Sequence, residues 1–117
     1  MTNWRRSQHR HNRDLYEVLD RAQYPDWAIT ALFYAVLQLV DAALEEELGV
    51  RPSNHETRRA YVARCTVTRR IAAEYGQLKW LSEMARYRKH YTQLVDRVAD
   101  AEVLFASICR QLPGGSP

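Results

Sequence analysis

A histidine followed by two arginines is the first feature of this chain whose residue types suit chemistry. Arg58 and Arg59 come three and four residues after His55, so on a helix His55 shares a face with either arginine. With the free backbone N–H groups at a helix start, such a cluster can clamp a phosphate. The alternative is that His55 is a capping or surface histidine and that the arginines pair with the acidic run Glu45–Glu47.

A second cluster mixes cations with aromatic rings over six consecutive residues. Cations contact the phosphates of single-stranded RNA and aromatic rings stack on its bases, so this composition suits RNA binding. A hydrated corner between two helices is the structural alternative. The residues are Arg86, Tyr87, Arg88, Lys89, His90 and Tyr91.

The segment from Trp27 to Leu48 has the most regular helical pattern in the chain, and it carries two different faces. One face repeats apolar residues at three- and four-residue steps and is predicted to be core. The neighbouring face carries Tyr34, Gln38 and Asp41, which could line a ligand pocket, form a buried hydrogen-bonded seam or make a dimer contact. This helix is expected at the centre of a bundle.

The rest of the chain is also helical, without a strand pattern or an internal repeat. We therefore predict an all-α fold, an up-and-down bundle of four main helices plus a short N-terminal helix. Residues 1–13 are predicted to be a basic flexible arm, 14–112 a single helical domain and 113–117 a disordered tail. The predicted elements are a short helix at about 9–22, a long helix capped by Asp26 and ended by Gly49, a third starting at Ser53 or Asn54, a bend at Tyr75–Gly76, a fourth helix to about Arg88 and a fifth over Leu94–Leu112.

Composition excludes several classes of protein. The chain has 117 residues, 46% of them hydrophobic, and a net charge of +3, of which the first 13 residues supply +4 and the others −1. Gln38 and Asp41 interrupt the most apolar run, so no membrane span is expected. Cys65 and Cys109 fit small core residues in a reducing cytoplasm. No nucleophile elbow, phosphate loop or metal-ligand set is present, and no cofactor is expected.

The order of these motifs resembles the HEPN superfamily of small helical domains over about residues 14–112. The resemblance rests on the segments FYAVLQLVDAALEE, GVRPSNHETRRAYV and YGQLKWLSEMARYR, followed by a long amphipathic helix. It implies a compact bundle that often forms homodimers. Relatives of this kind cleave RNA as toxins, partner nucleotidyltransferase antitoxins encoded beside them, or bind nucleotides and RNA in phage defence.

The resemblance also implies two different roles for the segment after the fourth helix. In RNA-cleaving members an arginine holds the phosphate and a histidine four to six intervening residues later assists proton transfer. Arg86 and His90 have three intervening residues, which departs from that spacing. Ala85-Arg86-Tyr87 is more similar to the corresponding segment of members that lack the ribonuclease motif.

The sequence thus favours a HEPN-like binding or interaction module that recognises a nucleotide, RNA or a partner protein. Its expected phosphate ligands are His55, Arg58, Arg59, Arg86, Tyr87 and Arg88. The first alternative is a metal-independent endoribonuclease that uses Arg86 and His90. The second alternative is a purely structural helical subunit.

Overall fold

The computed structural model describes residues 3–117, and over that range the chain forms five α-helices and no β-strand. The predicted all-α class is therefore confirmed. The helices are α1 (Asn3–Val18), α2 (Pro25–Leu48), α3 (His55–Arg64), α4 (Ala72–Glu83) and α5 (Val98–Gln111). Shorter turns are the 3-10 segments Arg69–Ile71, Tyr91–Gln93 and Val95–Arg97 and a π-helical turn, Met84–Arg88.

Helix α2 is the central element, since each of the other four α-helices packs against it. Its predicted core face is confirmed for most positions, but Leu37 is only partly buried and Leu48, the last residue of the helix, is 45% exposed. The helix ends at Gly49, which has a φ of 67° and donates its N–H to the Glu45 carbonyl, as expected for a left-handed C-terminal residue. The fully buried side chains of this face include Ile29, Leu32, Phe33, Val36, Val40 and Leu44.

By length and hydropathy alone, α2 could cross a membrane. The sequence predicts no membrane span, because Gln38 and Asp41 interrupt the apolar run. The most apolar 18-residue window of α2 has a mean hydropathy of 1.7. However, 78% of that window is buried inside the domain. This burial is what a core helix of a soluble protein shows, and it explains the high hydropathy without a membrane.

The prediction of a flexible arm over residues 1–13 is wrong for residues 3–13, which belong to α1. Two arginines of this segment bind acids of α2: Arg5 Nε lies 3.2 Å from a Glu45 carboxylate oxygen, and Arg6 Nη2 lies 2.6 Å from one of Glu46. His9 is completely buried. Arg5 and Arg6 therefore attach α1 to the acidic end of α2, and α1 is longer than the predicted short helix.

Of the two predicted N-terminal helix caps, the one at Asn54 is confirmed and the one at Asp26 is not. Asn54 caps α3 by accepting the Thr57 N–H at 2.8 Å. Asp26, in contrast, lies within the first turn of α2 and caps nothing; Asp20 instead accepts the N–H groups of Ala22 and Gln23 in the preceding turn. An aspartate one position inside a helix still favours its N-terminus through the dipole.

The predicted bend at Tyr75–Gly76 is wrong, because both residues lie inside α4. Tyr75 is buried against the Phe33 ring, and this packing holds the helix through the glycine. The fifth helix also starts later than predicted: Leu94 lies between the two 3-10 turns, Val95 belongs to the second of them, and α5 begins at Val98.

Two glycines are expected to respond to alanine with opposite signs. Gly49→Ala should destabilise the fold by about 1 kcal/mol, because an alanine is strained at positive φ. Gly76→Ala should stabilise it by about 0.5–1 kcal/mol, since Gly76 is helical and a Cβ there would meet nothing within 4 Å. Urea unfolding followed by circular dichroism measures both. A destabilising Gly76→Ala would contradict a continuous α4.

Candidate anion-binding site

The polar face of α2 contacts three arginines of the same chain, and each arginine comes from a different element. Arg86 Nη1 donates to the Tyr34 hydroxyl at 2.6 Å. Arg5 Nη1 donates to Gln38 Oε1 at 3.3 Å, and Arg58 Nε donates to Asp41 Oδ1 at 2.7 Å. The three predicted seam residues are thus joined to Arg5 of α1, Arg58 of α3 and Arg86 of the π-helical turn.

Asp41 and Arg58 form a buried, two-contact ion pair at the centre of this seam. Besides the 2.7 Å contact, Arg58 Nη2 donates to Asp41 Oδ2 at 3.1 Å and to the Pro52 carbonyl at 3.3 Å. Burial lowers the pKa of Arg58, but the hydrogen bond and charge of Asp41 outweigh it, so the pKa is raised. The Asp41 carboxylate takes up Nε and Nη2 of Arg58, and the predicted role of Arg58 in phosphate binding stays a prediction.

His55 lies beside this pair, at the edge of the core. Its Nδ1 is 3.3 Å from Arg58 Nη1, and its ring centroid is 6.0 Å from that of Phe33. Burial and the positive charges of Arg58, Lys79 and Arg86 lower the pKa of His55, while Glu83 opposes them. The imidazole is therefore neutral at pH 7.

Arg59 does not join His55 and Arg58, so the predicted three-residue clamp is not formed. Successive residues of a helix are rotated by about 100°, and Arg58 turns inward to Asp41 while Arg59 is exposed. The alternative pairing with Glu45–Glu47 is also wrong for Arg58. Glu45 instead binds Arg5 and Arg51, and Glu46 binds Arg6.

Arg86 is half-buried and is bonded only to uncharged groups. Its nitrogen atoms donate to the Tyr34 hydroxyl, to the Ser82 carbonyl at 3.2 Å and to the Ser82 hydroxyl at 3.2 Å. Among the described residues, no carboxylate lies within ion-pair distance of it. The hydrogen bond from Lys79, at 2.8 Å, is the main cause that lowers the pKa of Glu83, and the charge of Arg86 adds a smaller effect.

Aromatic rings surround the Arg86 guanidinium on several sides. Its central carbon is 5.3 Å from the Tyr34 ring centroid, 5.0 Å from that of Tyr87 and 5.9 Å from that of Phe33. Such contacts stabilise a cation without neutralising it. The site therefore keeps its positive charge.

A cavity of about 300 Å³ opens on Arg86, and we call it the Arg86 cavity. Two of its wall residues, Trp27 and Tyr87, expose 59% and 74% of their surface and leave ring faces open to solvent beside the cavity. The first turn of α2 forms another wall, where Tyr24 makes no side-chain cap. The lining residues are Asp26, Trp27, Thr30, Ala85, Arg86 and Tyr87.

His90 lies outside the π-helical turn that carries Arg86, so one helix does not fix their separation, and the Arg86–His90 pair of the ribonuclease alternative stays a prediction. The π-helical turn ends at Arg88, and Lys89 is extended, with φ −129° and ψ 144°. His90 is exposed, its Nδ1 is 2.9 Å from the Thr92 hydroxyl, and its ring lies 4.5 Å from that of Tyr91. Arg88, another predicted phosphate ligand, is exposed and does not line the Arg86 cavity.

Sequence reasoning missed two residues that position the site. Ser82 precedes Arg86 by one helical turn, a spacing that would have revealed it. Arg5 is 33 residues from Gln38 and 36 from Asp41, so no local pattern connects them.

Comparison with known proteins gives no match to a family model, a curated protein or a solved structure. The function has to be argued from the site itself. Within the described part of the chain, no group of three or more histidine, cysteine, aspartate or glutamate residues is placed to hold a metal ion. The site offers a guanidinium, aromatic rings and backbone N–H groups, which suit an anion attached to a flat ring.

Arg58→Met should destabilise the fold by about 3–5 kcal/mol, because it leaves Asp41 buried without its main partner. The double variant Asp41→Leu/Arg58→Met should recover much of that loss, since no unpaired buried charge remains. Arg59→Met, next in sequence but exposed, should change stability by less than about 0.5 kcal/mol. Equal effects of the Arg58 and Arg59 substitutions in urea unfolding would contradict the buried pair.

Proposed function

We propose that this chain is a HEPN-like helical module that binds single-stranded RNA, with a phosphate on Arg86 and a base against the rings of the Arg86 cavity. The same proposal includes a cytoplasmic role in a toxin–antitoxin or phage-defence system, as a homodimer or with a partner protein encoded nearby. The side-chain contacts of Arg86 and the walls of the Arg86 cavity support the RNA-binding part of the proposal.

The observation that carries the proposal is the unneutralised charge of Arg86. Arg5 and Arg58, the other two arginines of the seam, each contact a carboxylate. Arg86 contacts only hydroxyl and carbonyl oxygens, although it is half-buried. A partly desolvated guanidinium without an acid binds a phosphate well, because the phosphate meets less competition from water and from protein carboxylates.

The walls of the cavity favour a nucleotide over a simple anion. Exposed Trp27 and Tyr87 provide flat surfaces on which a base can stack, a contact worth about 1–3 kcal/mol per base. The Asp26 carboxylate in the cavity wall accepts hydrogen bonds, so it suits the N–H groups of a base edge. The start of α2 adds the positive end of a helix dipole.

Neighbouring exposed cations suit a strand longer than one nucleotide. Arg88 and Lys89 follow the cavity directly and are exposed. Among the described residues, neither makes an ion pair with an acid. Exposed cations beside stacking rings are typical of surfaces that follow a single-stranded backbone.

Arg86→Gln should weaken binding of a short labelled single-stranded RNA by about 10- to 100-fold, the loss expected for one charged hydrogen bond of about 1.5–3 kcal/mol. Fluorescence anisotropy at several salt concentrations measures this loss. Glutamine keeps hydrogen-bonding capacity toward Tyr34 and Ser82, so the fold should persist, which circular dichroism checks.

Arg59→Gln is the control with the same change of charge, and it should weaken binding far less. The salt dependence should also become shallower in Arg86→Gln, by about 0.7 in the log–log slope for one lost phosphate contact. Equal losses of RNA affinity in both variants would show that binding depends on the net charge of the protein and not on the position of Arg86. If the unmodified protein does not bind RNA, the RNA-binding proposal is refuted, and only the proposed interaction with a partner protein remains.

RNA cleavage is the second candidate, and the position of His55 favours it. The lowered pKa of His55 suits a general base, and its ring and the Arg86 guanidinium approach the same Phe33 ring, at 6.0 and 5.9 Å, although His55 does not line the Arg86 cavity. The binding samples, run on denaturing gels without metal, test this directly. Loss of cleavage in His55→Ala would identify His55 as the general base. Loss of cleavage in His90→Ala would instead support the Arg86–His90 pair. RNA that remains intact with the unmodified protein would rule out cleavage and leave RNA binding as the activity.

A further inference from the structure

Residues 113–117, called here the C-terminal strap, are packed against α1 and the end of α5. Ser116 donates its backbone N–H to His9 Nε2 at 3.0 Å. A side chain on Gly115 would collide with the Cys109 carbonyl, and one on Gly114 would collide with the Arg6 side chain. The predicted disordered tail is therefore wrong: only glycine allows this close approach, and the strap lies in place.

The strap is held by a histidine whose protonation state the hydrogen bonds define. His9 is completely buried, and its Nδ1 lies 2.9 Å from the Ala35 carbonyl oxygen of α2. Because a carbonyl only accepts, Nδ1 must carry the proton. Nε2 then accepts the Ser116 N–H, so the ring is neutral and both of its nitrogens are used. A second proton on Nε2 would place two donors against each other.

The groups around His9 also oppose its protonation. Burial lowers the pKa of His9, and the charges of Arg13 and Arg10 on α1 lower it further, although the bond to Ala35 raises it. From α5, Phe105 stacks on the ring at 6.1 Å. Cys109 of the same helix is uncharged because burial raises the pKa of its thiol to about 12, and the adjacent Arg110 is exposed. Among the described residues, no carboxylate is paired with the imidazole.

We propose that His9 is a pH-sensitive latch, and that its protonation releases the C-terminal strap and uncovers Cys109. The direction of the pH effect comes from linkage. A histidine whose folded-state pKa is depressed stabilises the closed form above its ordinary pKa of about 6.5, and this stabilisation is lost as pH falls toward the depressed value. The inference is independent of the RNA proposal, since it uses neither Arg86 nor its cavity.

The two cysteines provide the test, because Cys65 is equally buried but lies at the end of α3, away from the strap. The intact protein is treated with a dithiodipyridine reagent between pH 7.5 and 5. Labelling at each cysteine, measured by mass spectrometry, is normalised to a free thiol at the same pH. We expect Cys109 labelling to rise by up to about 30-fold at pH 5, the ratio set by an open-state pKa near 6.5. Cys65 should remain protected.

Two substitutions at His9 separate the latch from general acid sensitivity. His9→Gln can place an uncharged acceptor near Nε2, so Cys109 labelling should stay low and independent of pH. His9→Asn can replace only the Nδ1 donor, so labelling should be high at every pH. Gly115→Ala should also expose Cys109 at pH 7.5 with His9 intact. A parallel rise at Cys65, no rise in the unmodified protein, or an unchanged rise in His9→Gln would overturn the proposal.

Discussion

A polar stripe along one side of the central helix is the constraint that organises the domain around it. Asp41 is almost completely buried, and an unpaired carboxylate in that position would cost several kcal/mol, on the order expected for an isolated buried charge. Arg58 therefore brings α3 against α2, and Arg5 brings α1 against the same side, 3.6 Å from Asp41. The polar contacts fix which helices meet on this side of α2, while apolar packing holds the opposite side.

The same constraint explains why one arginine remains available. The stripe has acids at Asp41 and Glu45 but only a phenol at Tyr34, so Arg86, which packs over Tyr34, donates a hydrogen bond to a neutral hydroxyl and meets no carboxylate there. Arg86 is thereby positioned by hydrogen bonds to Tyr34 and Ser82, without a carboxylate partner among the described residues. Its cavity lies where α2 begins and the π-helical turn passes, and the exposed rings beside it are the surfaces that the proposed function assigns to a base.

Local patterns were enough to predict the elements that depend on neighbouring residues. The core face of α2, the left-handed end at Gly49 and the Asn54 cap all result from spacing and side-chain type. The spacing of Tyr34, Gln38 and Asp41 predicts one polar face of α2, but it does not predict which arginines contact that face.

The wrong predictions concern places where distant parts of the chain meet. The N-terminal arginines looked free because their acids lie about 40 residues away, and the acid that pairs with Arg58 was missed because Asp41 is 17 residues away. Gly76 was mistaken for a bend since the packing of Tyr75 on Phe33, which keeps α4 continuous, is a tertiary contact. The strap looked disordered because its anchor, His9, is 107 residues from Ser116. Composition alone cannot reveal which charges are already paired.

The most direct measurement of the central claim is an NMR titration that follows the side-chain Nε–H signals of the arginines as a short single-stranded RNA is added. We expect the Arg86 signal to shift and saturate with the RNA, while the signals of Arg58 and Arg5 keep their positions because carboxylates hold both. RNA binding that leaves the Arg86 signal unchanged, or that moves Arg58 instead, would contradict the assignment of the phosphate site to Arg86.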